Sequence, residues 1–199
     1  MKLIMRLAAI QDTEQILEIY SPYVLDTDIS FETAVPSKEE MEKRIESVLS
    51  NKPWIVIEDE KHILGYAYAS EHNERSAYRW SVDLSVYIRQ DSRGMGLGKA
   101  LYTALFHILK LQGYCNAYAI IVLPNESSIG IHEYFGSVKV AHYNNVGYKL
   151  GNWHDVGCWE LFLAQHDPEP SEPLSISSID ETDLFKAFEK GIQMIKSCR

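Results

Sequence analysis

Val86-Tyr87-Ile88-Arg89-Gln90-Asp91-Ser92-Arg93-Gly94-Met95-Gly96-Leu97-Gly98-Lys99-Ala100-Leu101 carries more chemical information than any other stretch of this 199-residue chain. Leading into it, Trp80, Val82, Leu84, Val86 and Ile88 alternate with their neighbours at the period of a strand that buries one face. Leading out of it, Leu97, Leu101, Leu105 and Ile108 recur at helical spacing. Between the two, glycines at 94, 96 and 98 leave backbone N–H groups uncovered where the helix begins. Unpaired donors at the positive end of a helix dipole make a site for phosphate oxygens.

Two familiar phosphate loops fail on their residues. A dinucleotide fingerprint needs a third glycine after G-x-G-x-x and an acidic residue some twenty positions on. Lys99 stands where that third glycine belongs, and no Asp or Glu occurs between Lys99 and Asn125. A P-loop requires Ser or Thr after Gly-Lys, where this chain has Ala100, and its leading glycine is replaced by Arg93.

Arg93 to Gly98 does fit Arg-x-x-Gly-x-Gly, and the continuation is more specific: Leu123-Pro124-Asn125-Glu126-Ser127-Ser128, then His132-Glu133, Gly136, and Gly151-Asn152-Trp153-His154-Asp155-Val156-Gly157. Upstream stand Ile29-Ser30-Phe31-Glu32 and Arg75-Ser76-Ala77-Tyr78. Together these motifs, spread over about residues 3–165, resemble the GNAT N-acetyltransferases, in particular the phosphinothricin and methionine sulfoximine acetyltransferase branch. The resemblance implies an α+β GNAT fold: a mixed, mostly antiparallel central sheet with one splayed pair of strands, flanked by helices on both faces. It implies acetyl-CoA as cosubstrate, no metal, a small-molecule amine as acceptor, and a homodimer.

Composition sets outer bounds. The length suits one domain with a real core, and 46% hydrophobic with 24% charged residues is ordinary for a globular enzyme. A formal net charge of −9 without a basic cluster argues against nucleic acid as a partner. Cys115, Cys158 and Cys198 lack metal or disulfide-framework spacing and suit a reducing cytoplasm. The longest uncharged run, Leu111 to Asn125, is too short and too interrupted to span a bilayer, so no membrane partner is expected.

Read in order, Leu3–Ala8 is a first strand, and Asp12 with Gln15 looks like the cap of a helix bearing Ile16, Leu17, Tyr20 and Val24. Ser37-Lys38-Glu39-Glu40 is a capping box opening a second helix to about Leu49. Strands are expected at 54–58, 62–70 and 78–89, then the glycine turn and its helix, with Gly113 as C-cap. A strand at 114–123, a short helix from Asn125 to near Gly136, and strands at about 138–150 and 154–164 close a domain of residues 1–166. Residues 167–177 are a linker by composition, and 178–199 form an amphipathic helix with Leu184, Phe188, Ile192 and Ile195 on one stripe.

The resemblance assigns roles residue by residue. Asp83, on the polar face of the long strand, is the candidate base for the acceptor ammonium, where the family usually carries glutamate; being one methylene shorter, it could work through water. An isolated strand carboxylate is otherwise simply solvated. His132, two helical turns after Asn125, would serve at the CoA sulfur, or else be a structural histidine. Backbone groups of Val86, Tyr87 and Ile88 would pair with pantetheine, and an N–H near Leu84 to Val86 would polarise the thioester carbonyl. Arg93, Gly94, Met95, Gly96, Leu97, Gly98 and Lys99 would hold the diphosphate, with Asn125 and Ser128 nearby. Phe31, Arg75, Ser76, Ala77 and Tyr78 would form the acceptor site, and Trp153-His154-Asp155 a structural signature near a subunit contact. Ser137 departs from the aromatic that commonly follows Gly136. A CoA-binding protein without transfer activity, or a transferase for another amine class, are the alternative readings.

Overall fold

The computed structural model describes residues 2–197. Seven strands form one sheet: β1 (Ile4–Leu7), β2 (Trp54–Glu58), β3 (Ile63–Glu71), β4 (Ser81–Ile88), β5 (Asn116–Leu123), β6 (Val138–Lys149) and β7 (Asn152–Phe162). Their spatial order is β1-β2-β3-β4-β5-β7-β6. Every neighbouring pair is antiparallel except β4 and β5. That parallel pair needs a crossover, which the helix after the glycine turn supplies.

Alternation along the central strands sends apolar side chains to both faces, so both must be covered. On one face α1 (Thr13–Leu25) and α2 (Lys38–Leu49) bury Ile16, Tyr20, Tyr23, Val24, Met41 and Ile45 against Trp54, Val56 and Tyr66. On the other, α3 (Leu97–Gln112) presses Leu97, Leu101, Leu105 and Ile108 onto Ile55, Ala67, Val82 and Leu84. Removing a buried leucine such as Leu105 from this layer costs roughly 2–5 kcal/mol. A short α4 (Glu126–Tyr134) rests on β5, where Ala119, Ile121 and Trp159 make a satellite core with Ile129.

Caps follow the local chemistry, with one exception. Ser37 Oγ accepts from Glu40 N, as its capping box requires, and α3 ends at Gly113 in the left-handed conformation. Asp12 precedes α1 but does not cap it. Its carboxylate is drawn back to Arg6 at 2.7 and 2.9 Å and to Ala9 N, because a guanidinium is a stronger partner than a peptide N–H. Gln15 Oε1 likewise leaves the helix start and accepts from Ile63 N.

β4 and β5 begin two or three residues later than the residue pattern suggests. Residues 76–78 form a 3-10 turn, so β4 starts at Ser81, and Trp80 instead uses its carbonyl to hold Cys115 N and Asn116 N. The tail packs on its own domain. Leu174 N and O bond Gln112, Ile176 N bonds Asn51 O, and Ile176 is buried. Beyond it, Asp180 takes the Thr182 N–H at the start of α5 (Glu181–Ser197), which lies against α3 and β1 through Ala187, Ile192 and Ile195. Cys198 lies outside the described residues.

Candidate active site

The sheet opens at its centre. β4 and β5 are paired only at Ser81–Asn116, Val82–Ala117 and Asp83–Tyr118, although β4 continues to Ile88 and β5 to Leu123. Past Asp83 the two strands part, and the cleft between them is lined by Leu84, Ser85, Val86 and Tyr87 on one side and Ala119 to Val122 on the other. Asn125, Ser128, Tyr102 and His132 close its floor. The expected splay is therefore present.

Strand geometry decides which backbone groups face the gap. Arg89 N donates to Leu64 O, toward β3. Alternation along an antiparallel ladder then turns the peptide groups of Tyr87 toward β3 and those of Val86 and Leu84 toward the cleft. Ile88 shares that direction, but Tyr23 Oη donates to Ile88 O at 2.7 Å and accepts from Ile88 N at 3.2 Å. Of the three residues expected to meet pantetheine, Val86 has its backbone groups facing an open cleft. Tyr87 contributes its ring to a cluster with Tyr20, Tyr23 and Tyr66.

At the cleft mouth the glycine turn has the anticipated form. Gly94 and Gly96 hold φ of 77° and 80°, a conformation costly for any residue with a Cβ, and the space beside both is open. The first helical bond of α3 runs from Ala100 N to Gly96 O, and no side chain caps the helix. The N–H groups of Leu97, Gly98 and Lys99 thus have no acceptor among the described residues. Arg93 lies over the Tyr23 ring at 5.0 Å and Lys99 over Tyr134 at 3.6 Å, so both cations are held beside the turn. Asn125 Oδ1 caps α4 by accepting from Ser128 N at 3.1 Å. An anion with several oxygens fits this set of donors.

Asp83 stands at the last paired position before the strands part, on the face opposite α3. Burial pushes its carboxyl up, while the His72 ring beside it pulls the other way. His72 Nδ1 is 2.7 Å from Asp83 Oδ1, and its ring stacks on Tyr118 at 4.3 Å. The residue pattern gives no hint of His72, which lies in a polar loop eleven positions from Asp83 and comes alongside only through the Ser70–Asp83 register.

His132 lies on the other face, 2% exposed, with Nε2 at 3.3 Å from the Tyr102 hydroxyl and Nδ1 without a partner among the described residues. Burial lowers its pKa to about 4, so the imidazole is neutral under ordinary conditions. Tyr102 is not among the α3 positions that the residue pattern singles out, although a buried tyrosine hydroxyl needs a partner. Ser137 is buried directly after this helix, its N–H donating to His132 O.

The expected acceptor residues fall into two groups. Phe31 packs on Gly147, where a Cβ would come within 2.1 Å of its ring, and lies 6.2 Å from His154. His154 in turn pairs with Asp28 and with Lys149 O, and Lys149 Nζ donates to Ser30 O, tying the 28–31 loop to the β6–β7 hairpin. Arg75, Ser76, Ala77 and Tyr78 lie in and beside the 3-10 turn that precedes β4, all exposed. Tyr78 meets the His72 ring edge-on at 5.9 Å, while Arg75 and Ser76 line a shallow cleft walled by Glu172 and Leu174.

A splayed parallel pair over a glycine turn with bare amides is the construction shared by one class of enzyme, and residues 5–157 match the acetyltransferase (GNAT) domain family. The chain belongs to that family. It is 33% identical over 171 residues to phosphinothricin N-acetyltransferase of Streptomyces viridochromogenes, covering 85% of this chain and 93% of that one. It is 37% identical over 111 residues to an L-methionine sulfoximine/L-methionine sulfone acetyltransferase of Pseudomonas paraeruginosa, covering 56% and 63%. Its fold superposes with a TM-score of 0.83 on a phosphinothricin acetyltransferase from Sinorhizobium meliloti solved with acetyl-CoA, at 33% identity, over 87% of this chain and 96% of that one.

Proposed function

We propose that this protein transfers the acetyl group of acetyl-CoA directly to the α-amine of a small amino acid or amino-acid analogue of the phosphinothricin, methionine sulfoximine or methionine sulfone type. The observation that carries the reading is the parting of β4 and β5 past Asp83–Tyr118, with the uncapped start of α3 at the mouth of the gap. Acetyl-CoA supplies a thioester, an acyl group already activated toward an amine.

The chain's own residues supply the rest. Leu97, Gly98 and Lys99 amides, with Arg93, bind the diphosphate; Asn125 and Ser128 border the cleft that receives the rest of the cosubstrate. The open backbone of Val86 orients the pantetheine arm, and an N–H on the Leu84–Val86 edge polarises the carbonyl oxygen as an oxyanion donor. Asp83 provides the negative charge toward which the acceptor ammonium loses its proton, because the neutral amine is the nucleophile. His132, neutral and joined to Tyr102, offers a hydrogen bond where the thiolate departs. Phe31 and Tyr78 form aromatic walls of the acceptor site, and Arg75 draws the acceptor's carboxylate or phosphinate, with Ser76 and Ala77 shaping the turn between them.

The protein acts in the cytoplasm as a homodimer. Support for the dimer comes from the β6–β7 edge, where Val138, Val140, Tyr143, Val146, Tyr148 and Trp153 are all at least half exposed. A thiol-release assay with acetyl-CoA and a panel of phosphinothricin, methionine sulfone, methionine sulfoximine and polyamines tests the reading. Turnover of the zwitterionic analogues and not of polyamines is expected. Protection from heat by acetyl-CoA without turnover of any amine would leave a binding protein instead.

A further inference from the structure

We propose that the atom accepting the acceptor's proton is Nε2 of His72, with Asp83 acting behind it as the second half of a carboxylate–imidazole dyad. This rests on the reading of Asp83 as the carboxylate on the base side of the reaction. An aspartate is one methylene shorter than the glutamate expected at its position, and the structure fills the missing reach with a ring. His72 Nδ1 lies 2.7 Å from Asp83 Oδ1. An ionised carboxylate only accepts, so Nδ1 carries the hydrogen, and in the neutral ring that receives the proton Nε2 holds the lone pair.

The ring is fixed as well as paired. It stacks nearly parallel on Tyr118, at 24° and 4.3 Å, and Tyr78 meets it edge-on. Tyr118 is the β5 residue opposite Asp83, the last pair before the strands part, so the dyad sits at the apex of the opening. Tyr118 Oη donates to Glu160 Oε1 at 2.7 Å, which ties the ring's platform to β7. The titratable groups facing the imidazole are therefore Asp83, Tyr118 with Glu160 behind it, and Tyr78. Nε2 has no hydrogen-bond partner among the described residues, and it is not one of the buried unpartnered atoms.

The step balances. His72 Nε2 takes one proton from the ammonium, and the freed amine forms the C–N bond as the C–S bond breaks. The second proton released from nitrogen goes to the departing thiolate, and the imidazolium returns its own to solvent. Asp83 holds the tautomer and stabilises the charged ring, the role a buried carboxylate plays beside histidine in hydrolases.

The test uses the full chain and four variants. His72→Phe keeps a flat ring on Tyr118 and should lower kcat at neutral pH on the order of a hundredfold, with KM for acetyl-CoA unchanged. Asp83→Asn should do the same, and the double variant should be no worse than either, since one unit is lost only once. Asp83→Glu placed in the His72→Phe background should recover about tenfold or more, the longer carboxylate reaching the amine alone. Nitrogen-15 NMR of the wild type should report Nδ1–H and a bare Nε2 on His72. An Nε2–H tautomer, a His72→Phe variant within threefold of wild type while Asp83→Asn is crippled, or multiplying losses would overturn the dyad. Full activity in both single variants would instead retire the reading of Asp83 itself.

Discussion

The Tyr102 hydroxyl lies 3.3 Å from His132 Nε2, and the two residues, thirty positions apart, are each buried on the floor of the same cleft. Burial holds the imidazole neutral, with a pKa of about 4 against an ordinary 6.5. Between those values the unfolded chain binds a proton that the folded one refuses, so stability falls as pH drops through that window. The loss amounts to on the order of 3 kcal/mol by the bottom of it. His132→Asn should flatten this slope, as read by urea unfolding at pH 6.5 and 4.5. An unchanged slope would mean that His132 charges freely.

Tyr102→Phe deletes the one hydrogen-bond partner that His132 Nε2 has among the described residues. Leaving a buried acceptor or donor unpaired costs about 1–3 kcal/mol, so the melting temperature should fall by several degrees. On the proposed mechanism kcat should fall while KM for acetyl-CoA changes little, because His132 would serve at the departing thiolate and not at the diphosphate. Steady-state kinetics separate the two.

Gly96→Ala should raise the KM for acetyl-CoA tenfold or more. The residue sits at φ 80°, which costs an alanine roughly 1–2 kcal/mol, and its new methyl would occupy open space beside the turn. Gly98→Ala should be milder, since its methyl meets only the movable end of Ile131. Calorimetric titration with acetyl-CoA ranks the three proteins. Equal affinities would remove the diphosphate from this turn.

Asp12→Asn should destabilise by about 2 kcal/mol, the scale of hydrogen bonds to a charged group. Burial works to raise the Asp12 carboxyl, but the paired Arg6 and the Ala9 N–H overcome it and hold the pKa below its ordinary value. The stabilisation is thus complete above pH 4 and fades as acid protonates the folded carboxylate. Unfolding curves of the variant should therefore converge with those of the wild type as acid titrates the folded Asp12 carboxyl.

If the proposed homodimer forms through the β6–β7 hairpin, Trp153→Glu should shift the particle from dimer toward monomer in sedimentation equilibrium. Trp153 is 62% exposed and meets Tyr148 edge-on at 5.4 Å on the bare face of the β6–β7 hairpin. A buried carboxylate in an apolar interface has no partner there. An unchanged mass would place the subunit contact elsewhere or exclude it.

Much of the architecture was legible because it is local. Strand and helix periods, the Ser37 capping box, the Gly113 stop and the glycine turn each depend on residues within four or five positions of one another. Where local reading failed, a distant partner had intervened. Asp12 has a cap residue's side chain, yet Arg6 claims it, and Arg6 also takes Glu58 from the next strand. The segment from 171 to 176 has a linker's composition, yet Gln112 and Asn51 bond its backbone, and Arg79 pairs with Glu172.

The amino-acid order alone determined most of the sheet-and-helix layout and the glycine turn, since each is written in short-range spacing and residue type. It pointed to the family through a resemblance spread over several separated motifs. Tertiary structure decided which groups meet: His72 with Asp83 through the β3–β4 register, Tyr102 with His132 across two helices, and Tyr23 with the Ile88 backbone sixty-five residues away. It also decided where β4 and β5 part. Contacts of that kind depend on how strands align and helices pack, and no pattern within a few residues encodes them.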